Sequence, residues 1–248
     1  MKAMILAAGL GTRLRPLTDN RPKALVELNG QTLLEITLSR LRRFGVSEVI
    51  VNVHHFADMV VEYLKKRDNF GMHIEISREE TLLDTGGGLK KAAWFFEESP
   101  SRSNADAPFI LHNVDVLSNI DLDRMRQAHI QKQALATLAV QDRDTSRYLL
   151  FDAQQQLCGR TTSHPATPTA SEKLQALAFS GIHIISPLLL SKMAEEGAFS
   201  IIDTYLRLAA EGENIQAFRA DEYYWRDLGK PDSVAQAAHD LEQGIVHL

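Results

Sequence analysis

The sequence predicts an α/β protein with a mixed, mostly parallel central sheet and helices on both of its faces. Strands that alternate with helices predict parallel pairing in the first part of the chain. Beyond Ala134, strands follow one another with few helices between them, which predicts a partly antiparallel part. The 248 residues, 44% hydrophobic and 24% charged, have the composition of one globular domain. We therefore expect a single domain over 1–248 whose halves cover about 1–133 and about 134–248.

In the first half, each element follows from the spacing of apolar residues. The apolar run at 4–8 is short and closed by glycine, which predicts a buried strand. Asn29–Gly30 predicts a turn, and apolar residues with helical spacing from residue 32 predict a helix that Gly45 ends. The same criteria predict strands at 47–55, 73–77 and 109–116, helices at 58–66 and within 81–98, and a polar connector at 99–108.

In the second half, apolar runs are short and turn residues separate them. They predict strands at 134–140, 147–152, 155–161, 178–186 and near Ile215. A polar loop is expected at 161–171, and helices are expected at about 187–196, at 200–210 and from Asp232.

Charge and cysteine content narrow the functional classes. The net charge of −5 argues against a general nucleic-acid binder, which would usually be basic. Cys158 is the only cysteine, so no intrachain disulfide can form and a reducing compartment fits. The first apolar stretch is too short for a signal-peptide core, and no run approaches the length of a membrane span. We therefore expect a cytoplasmic protein without nucleic-acid or membrane partners.

A glycine-containing loop follows the first predicted strand. Gly9 and Gly11 begin a G-x-G pattern, but Leu14 occupies the third glycine position of a dinucleotide-binding turn. Pro16 and Pro22 prevent an uninterrupted helix from starting there, and no G-x-x-x-x-G-K-[ST] motif occurs in the chain. The segment is therefore predicted to be a long loop.

That loop is strongly basic. It contains four cations and one acid, which are Arg13, Arg15, Arg21, Lys23 and Asp19. Glycines allow the backbone to approach a ligand, arginine offers a planar fork to phosphate oxygens, and lysine offers a mobile charge. The alternative is that this is only a solvated basic loop. We favour a polyphosphate site, because the glycines directly follow a strand and the cations follow the glycines.

The stretch LAAGLGTRLRPLTDNRPKAL at 6–25 resembles the signature G-x-G-T-R-L-x-P-L-T, followed by P-K, of sugar-1-phosphate nucleotidyltransferases. The resemblance implies a Rossmann-like three-layer fold, similar to glycosyltransferase A, with a nucleotide-binding first half and a sugar-binding second half. It also implies a loop that wraps a nucleoside triphosphate, with Arg13 and Lys23 as its main cations. The nucleotide contacts that it implies here are Leu6, Ala8, Gly9, Gly11, Thr12, Arg13 and Lys23.

Two aspartates are candidate metal ligands. Asp115 ends a predicted strand, the edge at which open α/β sheets bind ligands, although either Asp115 or Asp227 could be a turn or cap residue. The fragments HNVDV and WRDLG resemble the family's N-G-D and W-x-D-x-G, which implies that both acids bind Mg²⁺. Val114 stands where the family usually has glycine, and Asn113 is expected near the ribose or the sugar phosphate.

Two further segments are candidates for substrate contacts. In LLDTGGG, Thr85, Gly86 and Gly87 are expected at the base edge, the alternative being that the glycines only make a tight turn. In the second half, the resemblance implies that Ser180 and Gly181 lie near the sugar, although a strand glycine can also mark a bulge.

The sugar-binding half departs from the family pattern. Asp203 is a further predicted sugar contact. Many relatives have an E-K-P motif where this chain reads CGRTTSHPATP, and Glu172–Lys173 lies in a loop. Relatives that uridylylate N-acetylmuramic acid 1-phosphate also lack that motif and are short, so the chain resembles them most, together with members that guanylylate mannose 1-phosphate.

The histidines are not predicted to be metal ligands or general bases. His54–His55 ends a strand without a third ligand at zinc spacing, and His112 is expected in the core or behind the site.

The resemblance thus implies Mg²⁺-dependent transfer of a nucleotidyl group to a sugar 1-phosphate, with release of pyrophosphate. Arg13, Lys23, Asp115 and Asp227 are the expected catalytic residues. UTP is favoured as donor, with GTP or CTP as alternatives, in a monomer or homodimer. The rival functions are a phosphocholine cytidylyltransferase and a non-catalytic sensor of a nucleotide-sugar.

Overall fold

The computed structural model describes residues 1–97, 107–162 and 174–246. Most of the polar segments predicted at 99–108 and 161–171, and Glu172–Lys173, lie outside the described residues. The strands are β1 (Lys2–Leu6), β2 (Glu27–Leu28), β3 (Gln31–Thr32), β4 (Glu48–Val53), β5 (His73–Arg78), β6 (Phe109–Asn113), β7 (Val116–Ser118), β8 (Ala136–Gln141), β9 (Tyr148–Phe151), β10 (Leu157–Thr161), β11 (Gln175–Ile185), β12 (Ile215–Arg219) and β13 (Trp225–Asp227). The α-helices are α1 (Leu33–Arg43), α2 (Ala57–Lys66), α3 (Asp84–Lys91), α4 (Ala93–Glu97), α5 (Leu122–Lys132), α6 (Leu188–Ser191), α7 (Ile201–Ala210) and α8 (Pro231–Glu242).

A mixed nine-stranded sheet forms the centre of the protein and runs through both halves of the sequence. β5, β4, β1 and β6 are parallel neighbours, and β11 then pairs antiparallel with β6, β8 and β9. Leu6 is in register with Asn52 on one side and with Asn113 on the other. Three parallel strands therefore end at one level, which creates the edge where open α/β sheets bind ligands.

Both faces of the sheet are covered by apolar clusters. Ala3 and Ile5 of β1 are fully buried against one cluster, whereas Met4 between them is buried against the other. This alternation is expected of a strand that lies between two layers of helices. The predicted three-layer α/β class with a mixed central sheet is confirmed. No helix in the described ranges is both long and apolar enough to cross a bilayer.

Two local predictions were wrong, and one helix was not predicted. The strand predicted at 109–116 is divided into β6 and β7, with Val114–Asp115 between them. The helix predicted at 187–196 is only the short α6, and the Lys192 carbonyl just after it accepts from Arg207 Nη2 at 2.9 Å. Helix α5 was not predicted: its buried face is narrow, and Asp121 caps it by accepting from the backbone N–H of Arg124 at 2.9 Å.

Buried histidines make the stability of this fold depend on pH. Burial lowers the pKa of His112 and His183 to about 3 and that of His129 to about 4. In the unfolded chain these groups titrate near their usual pKa of about 6.5. Between the two values the unfolded state binds more protons, so the stabilisation is complete above the unfolded pKa and is lost as pH falls.

We therefore expect the free energy of unfolding to fall between pH 7.5 and 5 by up to about 1.4 kcal/mol per pH unit for each histidine. Urea titrations across this range measure the slope. His129→Gln should reduce it, whereas replacement of the exposed His55 by Gln should leave it unchanged. Equal slopes in the wild type and His129→Gln would contradict the prediction.

Candidate active site

A cleft of about 520 Å³ opens at the carboxyl ends of β1, β4 and β6. It is lined by the loop after β1, the ends of these three strands, the start of α3 and the segment before α7. The lining residues are Leu6, Ala7, Ala8, Gly9, Lys23, Asn52, Glu79, Leu82, Asp84, Thr85, Asn113, Val114, Asp115 and Ala198. The cleft thus contains seven of the residues predicted from the sequence, which are Leu6, Ala8, Gly9, Lys23, Thr85, Asn113 and Asp115.

The loop after β1 is folded back on itself at Gly11. This residue has φ +66°, and a Cβ there would lie 3.0 Å from Thr18 Cγ2. Its carbonyl accepts hydrogen bonds from the Leu14 N–H and the Thr18 hydroxyl. Leu14 is fully buried, whereas Thr12 and Arg13 are exposed. The turn is therefore anchored by leucine while its polar side chains point away from the core.

Asp115 and Asp227 lie side by side although they are far apart in the sequence. Asp115 occupies the break between β6 and β7, and β13 pairs antiparallel with β7, so that Asp227 is opposite Val116. The Leu228 N–H also donates to the Asp115 carbonyl at 2.8 Å. The backbones of the two aspartates are consequently adjacent at this edge of the sheet.

Arg13 reaches this edge from the loop after β1. A Cβ on Gly229 would lie 2.9 Å from Arg13 Nη2 and 2.6 Å from Asp227 Oδ1. The Gly229 N–H donates to Asp227 Oδ1 at 2.6 Å, which fixes the carboxylate. Gly229 is thus needed for the close approach of the guanidinium to Asp227. This role was not predicted from the sequence, although the glycine lies within the WRDLG segment.

Lys23 forms an ion pair with Asp115, and both side chains are largely buried. Within the described ranges, no group of three or more histidine, cysteine, aspartate or glutamate side chains could hold a metal ion. Asp115 and Asp227 alone would fit a hard cation that takes its other ligands from phosphate and water, as Mg²⁺ does. The Lys23 ammonium lies where it can neutralise one of these carboxylates or an incoming phosphate.

A buried Asn52–Glu79 pair supports the opposite wall of the cleft. Asn52 Oδ1 accepts from the N–H groups of Ala7 at 2.6 Å and Ala8 at 3.3 Å. Its Nδ2 donates to Glu79 Oε1 at 2.7 Å, and Glu79 Oε2 accepts from the Leu83 N–H at 3.0 Å. The pair therefore joins the β1 loop to the segment before α3. This pair was not predicted from the sequence, although a polar asparagine within the apolar strand IVNV is a signal for it.

The three predicted glycines lie inside α3 and allow close packing. The Gly86 N–H donates to the Phe199 carbonyl at 2.9 Å, and a Cβ on Gly86 would lie 2.3 Å from the Phe199 ring. A Cβ on Gly87 would lie 2.4 Å from the Gly197 carbonyl oxygen. Thr85 lines the cleft, and its hydroxyl accepts from the Ile201 N–H at 3.0 Å. The glycines thus hold Thr85 in place, and Gly86 itself faces α7.

We expect Gly87→Ala to destabilise the protein by about 1–3 kcal/mol, because the new methyl group would overlap backbone. Helix propensity alone predicts the opposite sign, a gain of about 1 kcal/mol. Urea unfolding measures the difference. Lys91→Ala, on the exposed side of the same helix, is the control and should change the free energy of unfolding by less than about 0.5 kcal/mol. A more stable Gly87→Ala protein would contradict the packing role.

The residues predicted to contact the sugar are divided between two places. Gly181 has φ +74°, marks a bulge in β11, and lies against Asn113, with an added Cβ only 2.9 Å from Asn113 Nδ2. Ser180 is fully buried and is not among the residues that line the cleft. Asp203 is half-exposed and accepts from Arg160 Nη1 of β10 at 2.7 Å. The structure therefore brings Gly181, and not the Asp203 carboxylate, next to a cleft residue.

His112 lies behind the cleft and is neutral. Its Nδ1–H donates to the Asn113 carbonyl at 2.8 Å, so Nε2 accepts from Arg40 Nη1 at 3.1 Å. Burial and the Arg40 charge lower the pKa of His112 to about 3. The imidazole is therefore unsuited to act as a general base near neutral pH.

Comparison with known proteins gives consistent matches over nearly the whole chain. The model of the nucleotidyl transferase family matches residues 2–244. The chain is 35% identical to the N-acetylmuramate alpha-1-phosphate uridylyltransferase of Caulobacter vibrioides, over 97% of each protein. It is 30% identical to the mannose-1-phosphate guanylyltransferase catalytic subunit beta of Xenopus tropicalis, over 93% of the chain but 62% of that protein.

A solved structure, of a putative glucose-1-phosphate thymidylyltransferase from Bacillus anthracis, superposes with a TM-score of 0.80. It covers all of this chain and 97% of that one at 17% identity, so it supports the fold alone.

Proposed function

The chain belongs to the nucleotidyl transferase family, and we propose that it transfers a nucleotidyl group from a nucleoside triphosphate to a sugar 1-phosphate. The products are a nucleotide-sugar and pyrophosphate. One observation carries this proposal: two aspartates and two cations from distant parts of the sequence meet at one edge of the sheet. They are Asp115, Asp227, Arg13 and Lys23.

The proposed reaction is an in-line substitution at the α-phosphorus. An oxygen of the sugar phosphate forms a bond to the α-phosphorus, and the bond from that phosphorus to the oxygen bridging the β-phosphate breaks. The acceptor phosphate is already ionised near neutral pH, so the reaction needs no general base. This agrees with the neutral, buried His112. Catalysis then depends on alignment and on charge neutralisation.

The charged residues would divide this work between them. Arg13 binds the β- and γ-phosphates and the leaving pyrophosphate, and Lys23 binds phosphate oxygens during transfer. Asp115 and Asp227 would hold Mg²⁺, which supplies charge neutralisation between the two anionic substrates. The ion pair between Lys23 and Asp115 supports this division, since both groups are within reach of the same ligand. Each cation placed about 4 Å from a phosphate oxygen contributes roughly 4 kcal/mol at an effective dielectric near 20.

UTP is the proposed donor and N-acetylmuramate 1-phosphate the proposed acceptor. The support is the Caulobacter relative, which is named an N-acetylmuramate alpha-1-phosphate uridylyltransferase and which this chain matches over 97% of its length. GTP or CTP are the alternative donors. The proposed product would supply or recycle precursors of a cell wall or polysaccharide, in the cytoplasm, by a monomeric or homodimeric enzyme.

The decisive experiment incubates the purified protein with each nucleoside triphosphate and a panel of sugar 1-phosphates, with magnesium or with EDTA, and measures pyrophosphate. We expect release only when donor, sugar phosphate and magnesium are all present. Release with CTP and phosphocholine alone would favour the cytidylyltransferase. Binding of a nucleotide-sugar without any pyrophosphate release would favour the sensor and reject the proposed activity.

A further inference from the structure

Arg143 is a second cation near Asp227, contributed by the loop between β8 and β9. Its Nη2 donates to the Phe179 carbonyl at 2.8 Å. Its guanidinium carbon lies 3.6 Å from the centroid of the Trp225 ring. The Trp225 Nε1–H in turn donates to the Ser180 carbonyl at 2.7 Å. One edge and one face of the guanidinium are therefore fixed by the protein.

The stacked guanidinium is on the same side of β13 as the candidate metal ligand. Side chains alternate along a strand, so Trp225 and Asp227 point to the same face. Burial lowers the pKa of Arg143, and the nearby Asp227 charge acts in the opposite direction. Arg143 thus lies on the Asp227 side of β13, but it comes from the second half of the chain, whereas Arg13 and Lys23 come from the loop after β1.

Arg143 also differs from its neighbours in how its charge is compensated. Four other arginines in this half have carboxylate partners within 3 Å: Arg160 with Asp203, Arg207 with Glu195, Arg219 with Asp221, and Arg226 with Asp240. Within the described part of the chain, no carboxylate lies within 4 Å of Arg143, and its buried Nε has no hydrogen-bond partner. A partly buried cation with unused donors is costly unless an anion binds to it.

We infer that Arg143 binds an anionic group of the acceptor, either its phosphate or a carboxylate on its sugar, and so positions the acceptor beside Asp227. This inference rests on the proposed function. The Phe179 carbonyl and the Trp225 ring fix the guanidinium, which leaves Nη1 without a protein partner in the described part of the chain and able to donate to an anion. The residue would act on acceptor binding, whereas Arg13 and Lys23 act on the donor.

Arg143→Met and Arg143→Lys test the inference, with Arg147→Met on the same loop as the matched control. Steady-state kinetics would use UTP with N-acetylmuramate 1-phosphate, or with N-acetylglucosamine 1-phosphate, which lacks the carboxylate. We expect Arg143→Met to raise the acceptor KM by about 10-fold to 100-fold and to leave the UTP KM within about 2-fold. Arg143→Lys should restore only part of the loss, and Arg147→Met should behave as wild type.

The two acceptors identify the anionic group. An equal rise in KM for both assigns Arg143 to the phosphate, and a rise confined to N-acetylmuramate 1-phosphate assigns it to the carboxylate. An unchanged acceptor KM, or an equal rise in the UTP KM, would overturn the inference. Calorimetry of N-acetylmuramate 1-phosphate binding to wild type and to both variants provides a readout without catalysis. If the wild type releases no pyrophosphate but binding still depends on Arg143, only the proposed function fails.

Discussion

Asp115→Asn is expected to lower kcat by about 1,000-fold, because it removes one of the two negative charges available to a divalent cation. The asparagine has the same shape and can still accept a hydrogen bond from Lys23, which pairs with Asp115 in the native protein. The backbone contact from the Leu228 N–H to the carbonyl of residue 115 is unaffected by the substitution. The fold should therefore survive, and the loss should be confined to turnover.

Pyrophosphate release at saturating substrates measures this effect, and urea unfolding checks the fold. Asp58→Asn is the matched control, since Asp58 is exposed, pairs with the exposed Arg78 and is not among the residues that line the cleft. Calorimetry should show weaker UTP binding in magnesium for Asp115→Asn, with little difference in EDTA. A purified Asp115→Asn protein with wild-type kcat would remove Asp115 from the proposed mechanism.

The sequence predicted the parts of the site that are carried by contiguous motifs. The run from Leu6 to Leu25 and the fragments around Asp115 and Asp227 each contain their own spacing signal. What joins them is β13 pairing with β7, a contact between segments far apart in the chain. Such pairing depends on tertiary packing, so the sequence could suggest two metal ligands by resemblance but could not derive their adjacency.

The missed residues share a different property: they act through other residues. Asn52 and Glu79 bind backbone and each other, so neither belongs to a recognisable spacing pattern. Gly229 is needed only because Arg13 and Asp227 converge on it in space. For the glycines of α3, in contrast, a ligand contact was predicted from the sequence. Their number suggested ligand contact, but Gly86 and Gly87 pack against the segment before α7, and only the fold reveals that neighbour.

Arg13→Ala is expected to reduce kcat/KM for the nucleoside triphosphate by about 100-fold, through loss of a donor that neutralises the leaving pyrophosphate. Arg13 suits this test because it is exposed and the core contacts of its turn are made by Leu14. Its removal should therefore cost little stability. The guanidinium lies beside Gly229 and the carboxylate of Asp227, so the substitution acts at the proposed site of the reaction.

The control for Arg13→Ala is Arg15→Ala, two residues along the same loop. The Arg15 side chain is 69% exposed and its carboxylate partner is Asp19, at 3.5 Å. If the loop acted only as a diffuse basic surface, the two substitutions would have equal effects that vanish together at high salt. If Arg13 binds the triphosphate directly, only Arg13→Ala should lose activity, and Arg13→Lys should recover part of it. Equal, salt-sensitive losses would therefore favour the solvated basic loop over a phosphate site. This conclusion would not depend on the results for Asp115 and Asp227.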